Sequence, residues 1–152
     1  APGWTAQGGT LVGSSSDGNL TMAEWTEELP ADYRIEVTLR PRNVTDATWV
    51  GLVVGLGDDG VIDALGVHGT GQVAAQRYVK EFEILLDLPN ASAESLRELR
   101  LAVDVSGGVA TYLVDGKRAG SLDLGESDLR GRVGVICSAG TVEFRDAVLL
   151  HR

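Results

Sequence analysis

The last part of the chain, Gly131 to Arg152, reads GRVGVICSAGTVEFRDAVLLHR, and its patterning decides the fold class. Val133, Val135 and Cys137 recur at every second position, as do Val142 and Phe144, so each segment offers one apolar side to a core, the signature of half-buried strands. Ala139-Gly140 between them predicts a β-hairpin of 132–138 against 141–150. Asp146 and Ala147 break the period before Val148, Leu149 and Leu150, as a β-bulge does. A closing strand needs a partner laid down earlier. The cleanest alternation elsewhere is DYRIEVTLRP: Tyr33, Ile35, Val37 and Leu39 lie on one side, and Arg34, Glu36, Thr38 and Arg40 on the other. The expectation is that 33–40 pairs with the closing segment and brings the two ends of the chain together.

The rest of the chain has the same grammar. Gly9 to Gly13 predicts a short strand, Ser14 to Asn19 a turn, and Leu20 with Met22 a second strand, after which Trp25 and Leu29 tuck under a sheet edge. TWVGLVVGLG is apolar on both sides, as a central strand covered on each face would be. Asp58-Asp59-Gly60 turns it into a hairpin with VIDALGVHG, and Gln72 to Ile84 supplies one long or two short strands. Ser92 caps at most a single helical turn before Leu99, Leu101, Val103 and Val105 alternate again. Gly107-Gly108 and Asp115-Gly116 are hairpin turns. Ten or eleven short strands with turns at regular spacing predict an all-β, antiparallel two-sheet sandwich occupying all 152 residues as a single domain.

The order of these segments resembles the concanavalin A-like lectin/glucanase jelly rolls. The residues that carry the resemblance are Trp4, GGTLVG at 8–13, GNLTM at 18–22, DYRIEVTLR at 32–40, the 99–124 stretch ending LVDGKRAGSLDL, and the final 131–150. Within those jelly rolls the sequence is most similar to the laminin-G-like group and to the 3-keto-disaccharide hydrolase domain. The resemblance implies two curved sheets packed face to face, with sugar bound on the concave face. Where hydrolase-like members carry Asn-Ser-Gly, this chain has Asp46-Ala47-Thr48-Trp49-Val50-Gly51.

Composition narrows the partners. A formal charge of −9 with no Lys/Arg cluster argues against nucleic acid and anionic membrane surfaces. No apolar run reaches spanning length. The opening APGWTAQ lacks the charged and apolar regions of a signal peptide, the expectation for numbering that starts at a cleavage site or domain boundary. Cys137, the one cysteine, falls on the apolar side of its strand and reads as an inert buried thiol. All three asparagines, Asn19, Asn43 and Asn90, open Asn-x-Ser/Thr triplets placed in loops or turns, which points to a secreted, N-glycosylated chain.

Chemistry-bearing motifs are sparse. No Glu-x-Asp-x-x-Glu acid pair, Gly-x-Ser-x-Gly elbow or zinc ligand set occurs. GLGDDG fits Gly-x-Gly-x-x-Gly in letters only, because it precedes a strand and its aspartates repel phosphate. Asp58, Asp59 and Asp63 are the candidate calcium ligands, set against a plain hairpin turn. Trp49, His68, Arg77 and Tyr78, from three successive strands, are the candidate ligand-binding residues: rings to stack on sugar faces, and Arg and His to bond hydroxyls. The competing reading makes Trp49 and Tyr78 packing residues. Three functions follow. The first is a non-catalytic extracellular, lectin-like domain with a glycan or polysaccharide partner and no cofactor. The second is a hydrolase of the keto-disaccharide type, and the third a structural subunit that self-assembles.

Overall fold

A computed structural model describes residues 4–25, 29–56, 60–92, 95–125 and 132–151. Eleven strands follow one another: β1 (Trp4–Gln7), β2 (Thr10–Glu24), β3 (Tyr33–Asn43), β4 (Trp49–Leu56), β5 (Ile62–His68), β6 (Val73–Tyr78), β7 (Phe82–Leu88), β8 (Leu99–Ser106), β9 (Val109–Val114), β10 (Lys117–Asp123) and β11 (Arg132–His151). A 3-10 turn at Ser95–Arg97 is the one helical element among the described residues. Every pairing is antiparallel, in the order β10-β9-β8-β3-β11-β4-β5-β6-β7, with β2 alongside β11 and β1 alongside β2. No described helix is long and apolar enough to cross a membrane.

The closing segment is not a hairpin. β11 runs unbroken for 20 residues. Its first part, Arg132 to Ser138, pairs with β4, and its second, Thr141 to His151, pairs with β3. A two-residue type I′ hairpin needs positive φ at both central residues. Here Ala139 has φ 56° while Gly140 stays out of the left-handed region, so the chain kinks and passes from one sheet to the other. β2 accompanies it through the kink. Leu20 to Glu24 pairs with the first part of β11 and Leu11 to Ser15 with the second, so the predicted 14–19 turn is continuous strand. Thr48 Oγ1 donates to Ala139 O at 2.6 Å and accepts from Thr45 N at 2.8 Å, which ties the kink to the entry of β4. Glycine is required beside it, since a Cβ on Gly140 would lie 2.6 Å from Asn43 O.

The two bent strands therefore belong to both layers of the sandwich. Layer A is β7-β6-β5-β4 with the first part of β11, and layer B is β10-β9-β8-β3 with its second part. The predicted pairing of the closing segment with β3 is present from Thr141↔Asn43 to His151↔Tyr33. So is the bulge: the register shifts between Arg145 and Val148, with Asp146 at φ 53°.

The core lies between the layers. Tyr33, Ile35, Val37 and Leu39 are fully buried and meet Val50, Leu52, Val54, Leu65 and Val67 of layer A, together with Val133, Val135, Cys137, Val142 and Phe144. Burying each such side chain contributes about 1.5–3 kcal/mol, which is what makes the period-2 pattern decisive. Trp4, Trp25 and Leu29 pack on its margin. The other side of β3 carries a charge ladder: Glu36 joins Arg34 at 2.5 Å and Arg100 at 2.8 Å, and Arg100 also donates to Thr38 Oγ1. Both β8–β9 and β9–β10 close on paired left-handed residues, Gly107-Gly108 and Asp115-Gly116, as hairpin turns require.

Candidate functional site

Alternation on the layer A strands separates two faces. Val50, Leu52, Val54, Leu65, Val67, Val73 and Ala75 point into the sandwich, so Trp49, Val53, Ala64, His68 and Gln76 point out of it. On that outer face a second apolar cluster forms from Trp49, Val53, Leu56, Ile62, Ala64 and Ile136, with Met22 and Tyr78 packed against it. β4 is thus buried on both sides along its whole length, as its unbroken apolar run implied.

Trp49 on β4 stands directly opposite His68 on β5, with ring centroids 6.4 Å apart in an edge-on arrangement. The indole reaches across Gly66, on the strand between, and donates from Nε1 to Gln76 Oε1 on β6 at 2.6 Å. It can do so only because residue 66 has no side chain. A Cβ there would lie 2.5 Å from Gln76 Oε1 and 2.7 Å from Trp49 Cε2. Gln76 Oε1 is also 3.3 Å from His68 Nε2. Since that oxygen only accepts, the hydrogen bond assigns the proton to Nε2 and leaves Nδ1 as an acceptor. Burial holds the His68 pKa below its ordinary 6.5, so the ring is neutral at pH 7.

Tyr78 lies two residues along β6 from Gln76, on the same face and about 7 Å further along the strand. Three of the four expected residues, Trp49, His68 and Tyr78, therefore share this face. Trp49 is only 5% exposed, so it forms the floor of the site and not an open platform. Gln76 was missed. Its spacing from Tyr78 was the available signal, because residues two apart on a strand share a face.

Arg77 does not join them. Adjacent residues on a strand face opposite ways, and Arg77 points inward, where its Nε and Nη2 donate to Asp63 Oδ1 and Oδ2 at 2.8 and 3.2 Å. The Asp63 side chain is 3% exposed, and its charge lies close enough to Tyr33 and Tyr112 to help burial raise both phenol pKa values. Asp63 is thus committed to an interior ion pair and is not an open loop ligand for calcium. Asp58 and Asp59 lie outside the described residues, and among the described residues no three His, Cys, Asp or Glu converge.

At the margin of the outer face, Glu24 accepts from Arg132 at 2.8 Å and Asp87 from Gln72 at 3.2 Å. Asn43 ends β3 and Asn90 follows β7, both exposed; Asn19 falls within β2 and not in a turn. Cys137 is fully buried, with its thiol pushed up to about 11 by desolvation.

No family model matches the sequence, and no curated protein matches it. Solved structures do. A carbohydrate-binding module, CBM66 from Bacillus subtilis, superposes with a TM-score of 0.82 at 11% identity, over 97% of this chain and 90% of that one. The Caenorhabditis elegans galectin LEC-6 gives 0.58 at 13% identity, over 91% and 100%. An alginate lyase of polysaccharide lyase family 7 gives 0.62 at 11% identity, over 99% and 84%. At such identities the likeness is one of architecture. The chain has the antiparallel two-sheet jelly-roll fold.

Proposed function

We propose that the chain is a non-catalytic glycan-recognition module that works outside the cytoplasm and receives its ligand on the outer face of layer A. The observation that carries the reading is the bonded set Trp49–Gln76–His68, with Tyr78 beside it, assembled from three strands on one sheet face. An indole floor, a fixed imidazole acceptor and a phenol are groups that hold a pyranose or furanose ring through its apolar face and hydroxyls. The fold is one that a bacterial carbohydrate-binding module and a galectin also use, which supports recognition without fixing the ligand. The two carboxylates placed at the margin of this face, Glu24 and Asp87, are each engaged by a neighbour, an arrangement better suited to holding a surface than to acid–base turnover. The exposed side chains of Asn43 and Asn90, each opening a sequon, support the extracytoplasmic setting.

A glycan array followed by calorimetry tests this. Binding is expected to fall at least about tenfold in His68→Ala and in Tyr78→Ala, a loss of about 1.4 kcal/mol, with no sugar released over hours. Unchanged binding in both variants, or steady product formation, would overturn the proposal.

A further inference from the structure

We infer that the C-terminal part of β11 is a docking edge for a second copy of this chain, which joins two layer B sheets into one across a two-fold axis at Leu149. The inference is independent of the glycan site, which lies on the other layer.

The edge exists because β2 is stopped early. Gly8 and Gly9 take φ values of 54° and 82° and turn the chain back from β1, so β2 starts at Thr10 and its pairing with β11 ends at Leu11↔Phe144. β11 runs on to His151. Beyond Phe144 it pairs with β3 on one side, and no described residue pairs with it on the other. Backbone N–H and C=O groups left in a row at a sheet edge are a template for another strand. Alternation places Val148 and Leu150 on the outer face, where they are 37% and 47% exposed, while Leu149 packs inward. An apolar cavity of about 310 Å³, lined by Leu11, Trp25, Val37, Phe144 and Ala147, lies beside the same edge, where the layer lacks a strand.

The sequence of the edge chooses its occupant. An antiparallel copy centred on Leu149 sets Val148 against Leu150 on the outer face and Leu149 against itself on the inner one, with no carboxylate or guanidinium opposite an aliphatic side chain. Centring it on Val148 instead would set Asp146 against Leu150. The two outermost strands are poorer templates: β7 and β10 are each broken by a bulge in mid-strand and carry charged side chains, Glu83 and Asp87 on the first and Lys117 and Arg118 on the second. Pairing over 147–151 gives an interface at the small end of specific ones, so the dimer is weak and reversible.

Sedimentation of the full chain from about 1 µM to about 1 mM, with no sugar present, tests this; a monomer–dimer equilibrium with a Kd of about 10–500 µM is expected. A variant combining Val148→Lys with Leu150→Lys, and another combining Val148→Glu with Leu150→Glu, change exposed side chains and are each expected to fold and to stay monomeric, because like charges then face each other across the axis. Mixing the two is expected to restore the dimer, since lysine now faces glutamate. A native chain that is monomeric throughout would overturn the inference, as would a dimer that survives in either variant alone or a mixture of folded variants that stays monomeric. Amide exchange of the native chain decides the matter should a variant fail to fold. Protection of the 147–151 amides is expected to rise with protein concentration, and protection that does not change with concentration would overturn the inference.

Discussion

Replacing Gly66 by Ala probes the packing on which the candidate site depends. Gly66 does not have positive φ, so alanine is conformationally allowed and the effect is steric. The new Cβ would lie 2.7 Å from Trp49 Cε2, closer still to Nε1, and 2.5 Å from Gln76 Oε1. Restoring van der Waals separation requires the indole to move by about 1 Å, which lengthens the 2.6 Å bond to Gln76 past useful hydrogen-bond range. Overpacking costs about 1–3 kcal/mol and a weakened buried hydrogen bond about 1 more, while the stiffer unfolded chain returns about 0.4–1. The net expectation is a loss of about 1–3.5 kcal/mol, read as a shifted urea midpoint at constant slope. In a Trp49→Phe background, which lacks Nε1, the same substitution is expected to cost at least about 1 kcal/mol less. A cost below about 0.5 kcal/mol for Gly66→Ala, with the Trp49 indole N–H resonance unmoved, would refute the argument that the absent side chain at 66 positions the site.

Asp63→Asn leaves the inward Arg77 without its carboxylate and is expected to cost about 2–4 kcal/mol in denaturant unfolding, below the usual figure for a buried pair because Arg77 is partly exposed. Tyr33 and Tyr112 have phenols raised above their ordinary 10.0, chiefly by burial, so the folded state keeps protons that the unfolded chain releases. Their contribution is present below pH 10 and is lost as pH rises further; unfolding midpoints at pH 8, 10 and 11 should show a fall that Tyr33→Phe and Tyr112→Phe flatten. Glu36, lowered mainly by its bond to Arg100, acts in the opposite direction: its contribution is present above pH 4.5 and fades as pH falls below it, and Glu36→Gln should remove that acid-side dependence. Native Cys137 is expected to resist a thiol reagent at pH 8 and to react only at the rate of unfolding; labelling at the free-thiol rate would contradict its burial.

The sequence by itself determined the local layers of this protein. Alternation alone placed Tyr33, Ile35, Val37 and Leu39 inside, set the bulge at Asp146, and marked Gly107-Gly108 and Asp115-Gly116 as hairpin turns, because each depends on a residue and its immediate neighbours. It also nominated Trp49, His68 and Tyr78. Tertiary structure decided what local pattern leaves open. Ala139-Gly140 satisfies the letters of a turn, yet β2 running beside both parts of β11 holds it as a kink, and that choice joins the layers. Arg77 and Tyr78, consecutive on β6, cannot share a face; it is the pairing of β6 with β5 that turns Arg77 to the interior and gives it Asp63, and Gln76 gains its place only when β4 and β6 flank Gly66. A strand's own period says which residues share a side; only its pairing with other strands says which side is the core and what meets there.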